Sequence, residues 1–220
     1  MDTILKVLVG SRAHGIYDED SDYDYRGVFV HPLEEILKVF SNPKNSNWIE
    51  GETDNTSWEL RYFLEMSTKC NPTVLEVFNA PIKQHTELGE ELISLFPSVW
   101  NTNDLVKAHV GYGLNQRKKF LDDKDNRKSK YASAYLRSLY QAYSLLAHDS
   151  YPVNMIGTEV ETDLRRYRKG DYELGEVIDT CHKWAKKLER VSEKVDKNTD
   201  LDKINNFLLK ARLTPPYNRV

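Results

Sequence analysis

Residues 10–30 read GSRAHGIYDEDSDYDYRGVFV, and the order of residue types in this stretch decides how the chain is read. Just before it, Ile4 to Val9 is an almost unbroken apolar run that Gly10 ends, the pattern of a buried strand. From Ser11 to Asp20 a second glycine, Gly15, and the tract Asp18-Glu19-Asp20-Ser21 predict a loop that bends closely. Asp22 to Val30 then alternates and becomes apolar at Val28, Phe29 and Val30 ahead of His31-Pro32, which predicts a second strand leaving the loop. Side chains two apart on a strand share a face, so Asp22 and Asp24 would aim their carboxylates one way, about 6 to 7 Å apart along the backbone. Like charges at that spacing repel unless one is protonated or a cation bridges them, and hard oxygen ligands of this kind suit Mg²⁺ shared with substrate phosphates. The Gly10-Ser11 turn can offer N–H groups and a hydroxyl to a phosphate, with Gly10 admitting a close approach. In isolation two such aspartates also fit a solvated strand edge or an Asx turn. The Gly-Ser turn ahead of them and the apolar run behind them favour a metal-nucleotide site.

Outward from this stretch, Ser46 to Glu52 around Trp48 and Ile49 predicts a third strand, and Thr56-Ser57-Trp58-Glu59 fits a capping box opening a helix that runs to about Lys69. Beyond Pro72 the pattern is helical: Thr73 to Phe78, Leu88 to Leu95, Asp104 to Leu121, Lys130 to Ala147, Tyr172 to Val195 and Leu201 to Ala211. The expected class is α+β, a small mixed sheet with helices over residues 1–100 followed by an α-helical region over 101–220, with a soft boundary near 96–104.

Composition sets limits on function. The 220 residues are 40% hydrophobic and 30% charged, with no apolar run near the roughly 20 residues a membrane span needs. Met1 to Gly10 lacks the basic-then-apolar order of a signal peptide, and Cys70 and Cys181 lie far apart, so free thiols and a cytoplasmic protein with no membrane role are expected. A net charge of −3 argues against a general polyanion binder, although Arg117, Lys118, Lys119 and the tract from Lys124 to Lys130 form local basic clusters. The six histidines show no Cys/His ligand spacing, so structural zinc is not expected.

The Gly10-Ser11 turn followed by Asp22-Tyr23-Asp24 resembles the signature of the DNA polymerase beta-like nucleotidyltransferase superfamily. Together with ELRYFLEMSTKCNPTVLEVFNAP at 59–81 and HVGYGLNQRKKF at 109–120, the string at 10–30 is similar to the RlaP-type branch of predicted nucleotidyltransferases, over roughly the first 150 residues. The resemblance implies a nucleotidyltransferase core in which Mg²⁺ or Mn²⁺ ions hold a nucleoside triphosphate, with ATP as the first choice. An acceptor hydroxyl on a small molecule, an RNA end or a protein attacks the α-phosphorus. It also implies a third carboxylate beside Asp22 and Asp24 that completes the metal shell. Asp54 is the choice for that role, since it follows the third strand and precedes the next helix. Glu52 fits an inward strand position equally well, and Glu59 competes but has a structural role open to it as the partner of Thr56. Arg12 and His14 lie in the loop where a phosphate contact or a bond to the turn backbone is open to each, and Arg26 could pair with Asp22 or Asp24. Lys130, Tyr131 and Arg137 resemble positions that related enzymes use around the triphosphate or acceptor, and Lys130 and Arg137, seven apart, share a helix face. Tyr112, Gln116 and Lys119 are weaker candidates, and the stripe of Tyr131, Tyr135 and Leu139 reads first as core packing.

Two rival readings stand beside the enzyme. One is a non-catalytic nucleotide- or partner-binding regulator with the same fold. The other is a nucleic-acid-binding module built on the basic stretch from Arg117 to Lys130, which the overall acidity disfavours. The acceptor, the oligomeric state and the role of the last ~50 residues have no signature in the chain.

Overall fold

The computed structural model describes residues 2–50 and 53–215, and the side chains of all of these except 48–50, 53 and 54. The chain begins with β1 (Asp2–Val9), a single short helix α1 (Gly10–His14) and β2 (Asp24–Val30), then α2 (Leu33–Leu37) and the hairpin of β3 (Asn45–Glu50) and β4 (Thr53–Glu59). Next come α3 (Leu60–Thr68), α4 (Pro72–Val77), β5 (Ile82–His85), α5 (Glu87–Ser94) and α6 (Phe96–Val99). The remainder is helical: α7 (Thr102–Asp122), α8 (Lys128–His148), α9 (Glu161–Lys169), α10 (Leu174–Ser192) and α11 (Leu201–Leu213).

The five strands lie in the order β3-β4-β2-β1-β5, with β2 and β4 parallel and every other pair antiparallel. Ile4, Leu5, Val7, Leu8 and Val9 are all buried, as are Val28, Phe29 and Val30, so the central strands are covered on both faces and read as continuous apolar runs rather than alternating ones. One cover is α3, whose Leu60, Phe63, Leu64 and Ser67 recur at helical spacing and are buried. A row of aromatic rings, Phe63, Phe78, Phe96 and Tyr151, with centroids 5.0, 5.7 and 5.9 Å apart, runs from that layer toward the helical half.

In the helical half α8 packs along both α7 and α10. Gly113 of α7 permits this closeness, because a Cβ there would sit 2.9 Å from Cδ2 of Tyr135. The stripe read as core packing is core in part: Tyr135 and Leu139 are buried, whereas Tyr131 is half-buried at the cleft. The last helix, α11, returns to the sheet layer: buried Arg212 donates to the His31 carbonyl (3.0 Å) and is ion-paired with buried Glu59.

Several expectations need correction. Ser11 to Asp20 is not all loop, because Gly10–His14 closes one helical turn that ends at Gly15 in the left-handed conformation (φ 70°). Strand β2 starts at Asp24, so Asp22 precedes it. Thr56 is no helix cap. Residues 53–59 form β4, which pairs with β2 through Arg26 and Thr56, Gly27 and Ser57, Val28 and Trp58, and Phe29 and Glu59, so tertiary strand pairing overrides a capping-box pattern. Glu59 instead caps α3 itself, its Oε2 accepting from the Arg61 N–H at 2.8 Å. Strand β5 and helix α9 were not expected. The first is an edge strand, IKQH, exposed throughout, and the second is so polar that only Leu164 and Tyr167 of it are buried.

Candidate active site

A cleft of about 470 Å³ opens between the start of β2 and the helical half. Gly10, Ser11, His14, Asp22 and Asp24 form its sheet wall, with Asp20 and Ser21 from the intervening loop. Lys130, Tyr131, Ser133, Ala134 and Arg137 of α8, Tyr112 and Gln116 of α7, and Arg168 of α9 form the other wall. Lys130, Ser133, Ala134 and Arg137 follow the i, i+3, i+4, i+7 rule, so one stripe of α8 faces the carboxylates. Three aspartates, Asp20, Asp22 and Asp24, therefore look across at three cations, Lys130, Arg137 and Arg168.

Asp24 owes its place to the register of β2, where it pairs with Val9 at the end of β1. Its carboxylate lies against Gly10, which has φ +72° and no room for a Cβ on that side. Asp22 sits two residues earlier on an exposed segment that two arginines hold. Arg12 donates from Nε to the Ser21 carbonyl (2.7 Å) and from Nη2 to the Glu19 carbonyl (3.0 Å), its guanidinium 4.1 Å from the Tyr23 ring centroid and 5.1 Å from that of Tyr17. Arg168 donates from Nε to Asp18 (2.9 Å) and from Nη2 to the Ser21 hydroxyl (3.2 Å).

Behind the sheet wall lies a buried charge network. His14 ends α1, and its Nε2 is bonded to Oε1 of Glu76 on α4. Arg137 Nη1 stands 3.4 Å from both carboxylate oxygens of the same Glu76. Burial pushes the His14 imidazole below its ordinary value, with Arg137 adding to the effect against the opposing pull of Glu76. Burial by itself would raise the Glu76 carboxyl, yet Arg137 and then His14 hold it well below the usual range. Facing a carboxylate, Nε2 of His14 carries the hydrogen of this bond. Deeper in, His109 is pushed down to about 4 by burial; it donates from Nδ1 to the Leu105 carbonyl (2.9 Å) and accepts at Nε2 from the Tyr151 hydroxyl (2.9 Å).

Of the residues singled out in the sequence, the structure brings Gly10, Ser11, His14, Asp22, Asp24, Lys130 and Arg137 to one cleft. Arg12 is spent on the loop backbone. Arg26 donates to the Tyr25 carbonyl (2.8 Å). Glu59 is 1% exposed and taken by Arg212 and the start of α3. Glu52 lies outside the described residues, as does the Asp54 side chain. The backbone of Asp54 is on β4, two residues before Thr56, the residue that pairs with Arg26 of β2. Among the described residues no group of three or more His, Cys, Asp or Glu side chains is placed to hold a metal, so Asp22 and Asp24 need a further donor. The donor set otherwise fits a hard divalent cation beside an anionic ligand: Asp22 and Asp24 would hold the cation, and the Ser11 hydroxyl and the facing cations would meet the anion. Ser133 lines the same cleft with a buried Oγ that has no hydrogen-bond partner among the described residues.

Sequence reading passed over Glu76, Ser133 and Arg168. Glu76 had a signal, a lone carboxylate inside the apolar run Val74-Leu75-Glu76-Val77-Phe78, since an ionisable residue buried among apolar neighbours needs a partner. Arg168 had none, because its helix was not expected.

The fold and this cleft define a protein of the polymerase-beta type. The profile of the RNA repair pathway DNA polymerase beta family, RlaP, matches residues 1–210, and the chain belongs to that family. It is similar to the uncharacterized protein YcgL of Bacillus subtilis (strain 168), 27% identical over 94% of this chain and 88% of that one. It is also similar to an uncharacterized 38.9 kDa protein from the nrdC-mobD intergenic region of Enterobacteria phage T4, 26% identical over 54% of this chain and 39% of the phage protein. Among the described residues no helix is long and apolar enough to cross a membrane.

Proposed function

We propose that the chain is a metal-dependent nucleotidyltransferase that moves a nucleoside monophosphate from a triphosphate, ATP first among them, to an acceptor hydroxyl. The observation that carries this reading is the cleft in which Gly10, Ser11, Asp22 and Asp24 face Lys130, Arg137 and Arg168. Residues 1–100 would supply the carboxylate wall and residues 101–220 the cationic one. A cytoplasmic setting accords with two cysteines that are free and buried.

Asp22 and Asp24, with Asp54 as third carboxylate, would hold Mg²⁺ or Mn²⁺, which when bound neutralises charge on the attacking and leaving oxygens. The backbone at Gly10, the Ser11 hydroxyl, Lys130 and Arg137 bind and orient the phosphates, and the unpartnered Ser133 hydroxyl can donate to one of their oxygens. The acceptor oxygen bonds to the α-phosphorus while the bond from that phosphorus to the pyrophosphate oxygen breaks. The hydroxyl proton passes to a carboxylate, for which Asp54 is our candidate, and pyrophosphate leaves with the bonding pair. An RNA end is one acceptor that accords with the family's description as an RNA repair pathway group. Small molecules and protein hydroxyls fit the same chemistry.

The test is calorimetric binding of ATP, GTP, CTP and UTP with Mg²⁺ or Mn²⁺ to the intact protein and to its Asp22→Asn/Asp24→Asn and Asp54→Asn variants. Transfer of α-phosphate label to candidate acceptors is followed alongside. Metal-dependent binding that the double substitution abolishes, with turnover lost in Asp54→Asn, supports the reading. Binding without turnover on any acceptor class moves it to the non-catalytic regulator, and folded protein that binds no triphosphate refutes it.

A further inference from the structure

We infer that Glu76 is a positioning residue for the triphosphate: it ties the Gly-Ser turn on one wall of the cleft to the phosphate-facing arginine on the other. The inference rests on the reading of the cleft as a triphosphate site. Glu76 sits on α4, behind the cleft, and is buried in a helix whose Val74, Leu75 and Val77 are core. An ionised carboxylate there is costly, and a buried ion pair adds little that an apolar side chain of similar volume would not match. Fold stability therefore does not account for it.

Its contacts do. Oε1 accepts from Nε2 of His14, the last residue of the turn that Gly10 and Ser11 open. Both oxygens face Nη1 of Arg137 at 3.4 Å. Because Nε2 of His14 faces a carboxylate oxygen, it carries the hydrogen, which fixes the ring and with it the end of α1. Because Glu76 engages Arg137 through Nη1 alone, the remaining guanidinium N–H groups are left for phosphate oxygens in the cleft that Arg137 lines. A long, flexible cation held from behind by a fixed anion loses less freedom when it meets its ligand, which is how such a partner raises affinity without touching the ligand.

The experiment is a double-mutant cycle on Mg²⁺-ATP affinity, with the intact chain, Glu76→Gln, Arg137→Gln and the double variant, each shown to be folded by circular dichroism and a cooperative melt. Glu76→Gln keeps shape and an acceptor for His14 while removing the charge that holds Arg137. Affinity is expected to fall roughly 10- to 100-fold in Glu76→Gln, the scale at which residues behind a ligand set act. In the Arg137→Gln background the same change should cost almost nothing, because the effect runs through Arg137. If Glu76→Gln does not fold, Glu76→Asp, which keeps the charge but draws the carboxylate back by one methylene, takes its place in the cycle, with a smaller loss of affinity that shrinks in the Arg137→Gln background; no loss, or a loss undiminished there, overturns the inference. Equal affinities for the intact protein and the Glu76 variant, or additive losses in the double variant, overturn the inference. Failure of the unsubstituted protein to bind Mg²⁺-ATP overturns the triphosphate reading itself, and is read on that protein alone.

Discussion

Gly10→Ala tests the site through backbone and packing together. Gly10 has φ +72°, and a Cβ there would overlap the carboxylate of Asp24. Holding alanine in the left-handed region costs roughly 1–2 kcal/mol. Driving Asp24 off its rotamer adds about 0.5–1.5 kcal/mol. Together they come to about 1.5–3.5 kcal/mol, which for a chain of this length corresponds to a fall in Tm of about 3–14 °C. The control is Gly157→Ala, where φ is +79° but nothing lies within 4 Å of the added carbon, so strain acts without collision. Urea unfolding and calorimetry with Mg²⁺-ATP are run on both variants. Both should lose stability, Gly10→Ala by more, and only Gly10→Ala should lose metal-dependent ATP binding. Unchanged ATP binding in a folded Gly10→Ala protein would refute the placement of the Asp24 carboxylate against the Gly-Ser turn as a functional contact.

Two further outcomes follow from buried charges. Glu59→Gln leaves Arg212 buried without its counter-charge and should cost about 3–5 kcal/mol by urea unfolding while Mg²⁺-ATP affinity is unchanged; weakened metal binding at unchanged stability would make Glu59 a ligand instead. His109 has its pKa lowered from 6.5 to about 4 by burial, so between those values the unfolded chain binds more protons than the folded one. Its contribution to stability is therefore complete above pH 6.5 and is lost as pH falls toward 4, with a slope approaching 1.36 kcal/mol per pH unit. His109→Gln should remove that part of the slope, which His14 reinforces in the same direction, and parallel curves for the two proteins over that window would contradict the assignment.

The electrostatics of the cleft give these tests a common frame. Of the three facing cations, Arg137 is paired behind the cleft with Glu76 and Arg168 with Asp18, and a triphosphate with its metal would supply charge of both signs for the two walls. The buried Glu76 network reaches that exchange through Arg137, which belongs both to the network and to the cleft wall.

Much of this was legible before any fold was known. The run from Ile4 to Val9 and the glycine that ends it identify a strand and a sharp change of direction through local rules alone, apolar continuity and glycine's access to positive φ, whereas Asp22 reaches the cleft from the loop before β2 and not by the two-residue period of a strand. The long helices α7, α8 and α10 were legible for the same reason, since their buried faces repeat at helical spacing over many turns. What only tertiary structure decided was set by partners distant in sequence. Strand β4 is a strand because β2 offers it a parallel ladder, although its residues also spell a helix start. Glu59 was withdrawn from the metal candidates by Arg212, 153 residues away. Arg12, a phosphate candidate on position alone, was drawn onto the carbonyls of its own loop. Arg168 and Ser133 reached the cleft only through the packing of α9 and α8, and Glu76 acquired a role only when His14 and Arg137 were brought to either side of it. Local chemistry is written residue by residue, whereas the worth of a charge depends on what folding places within a few ångströms of it.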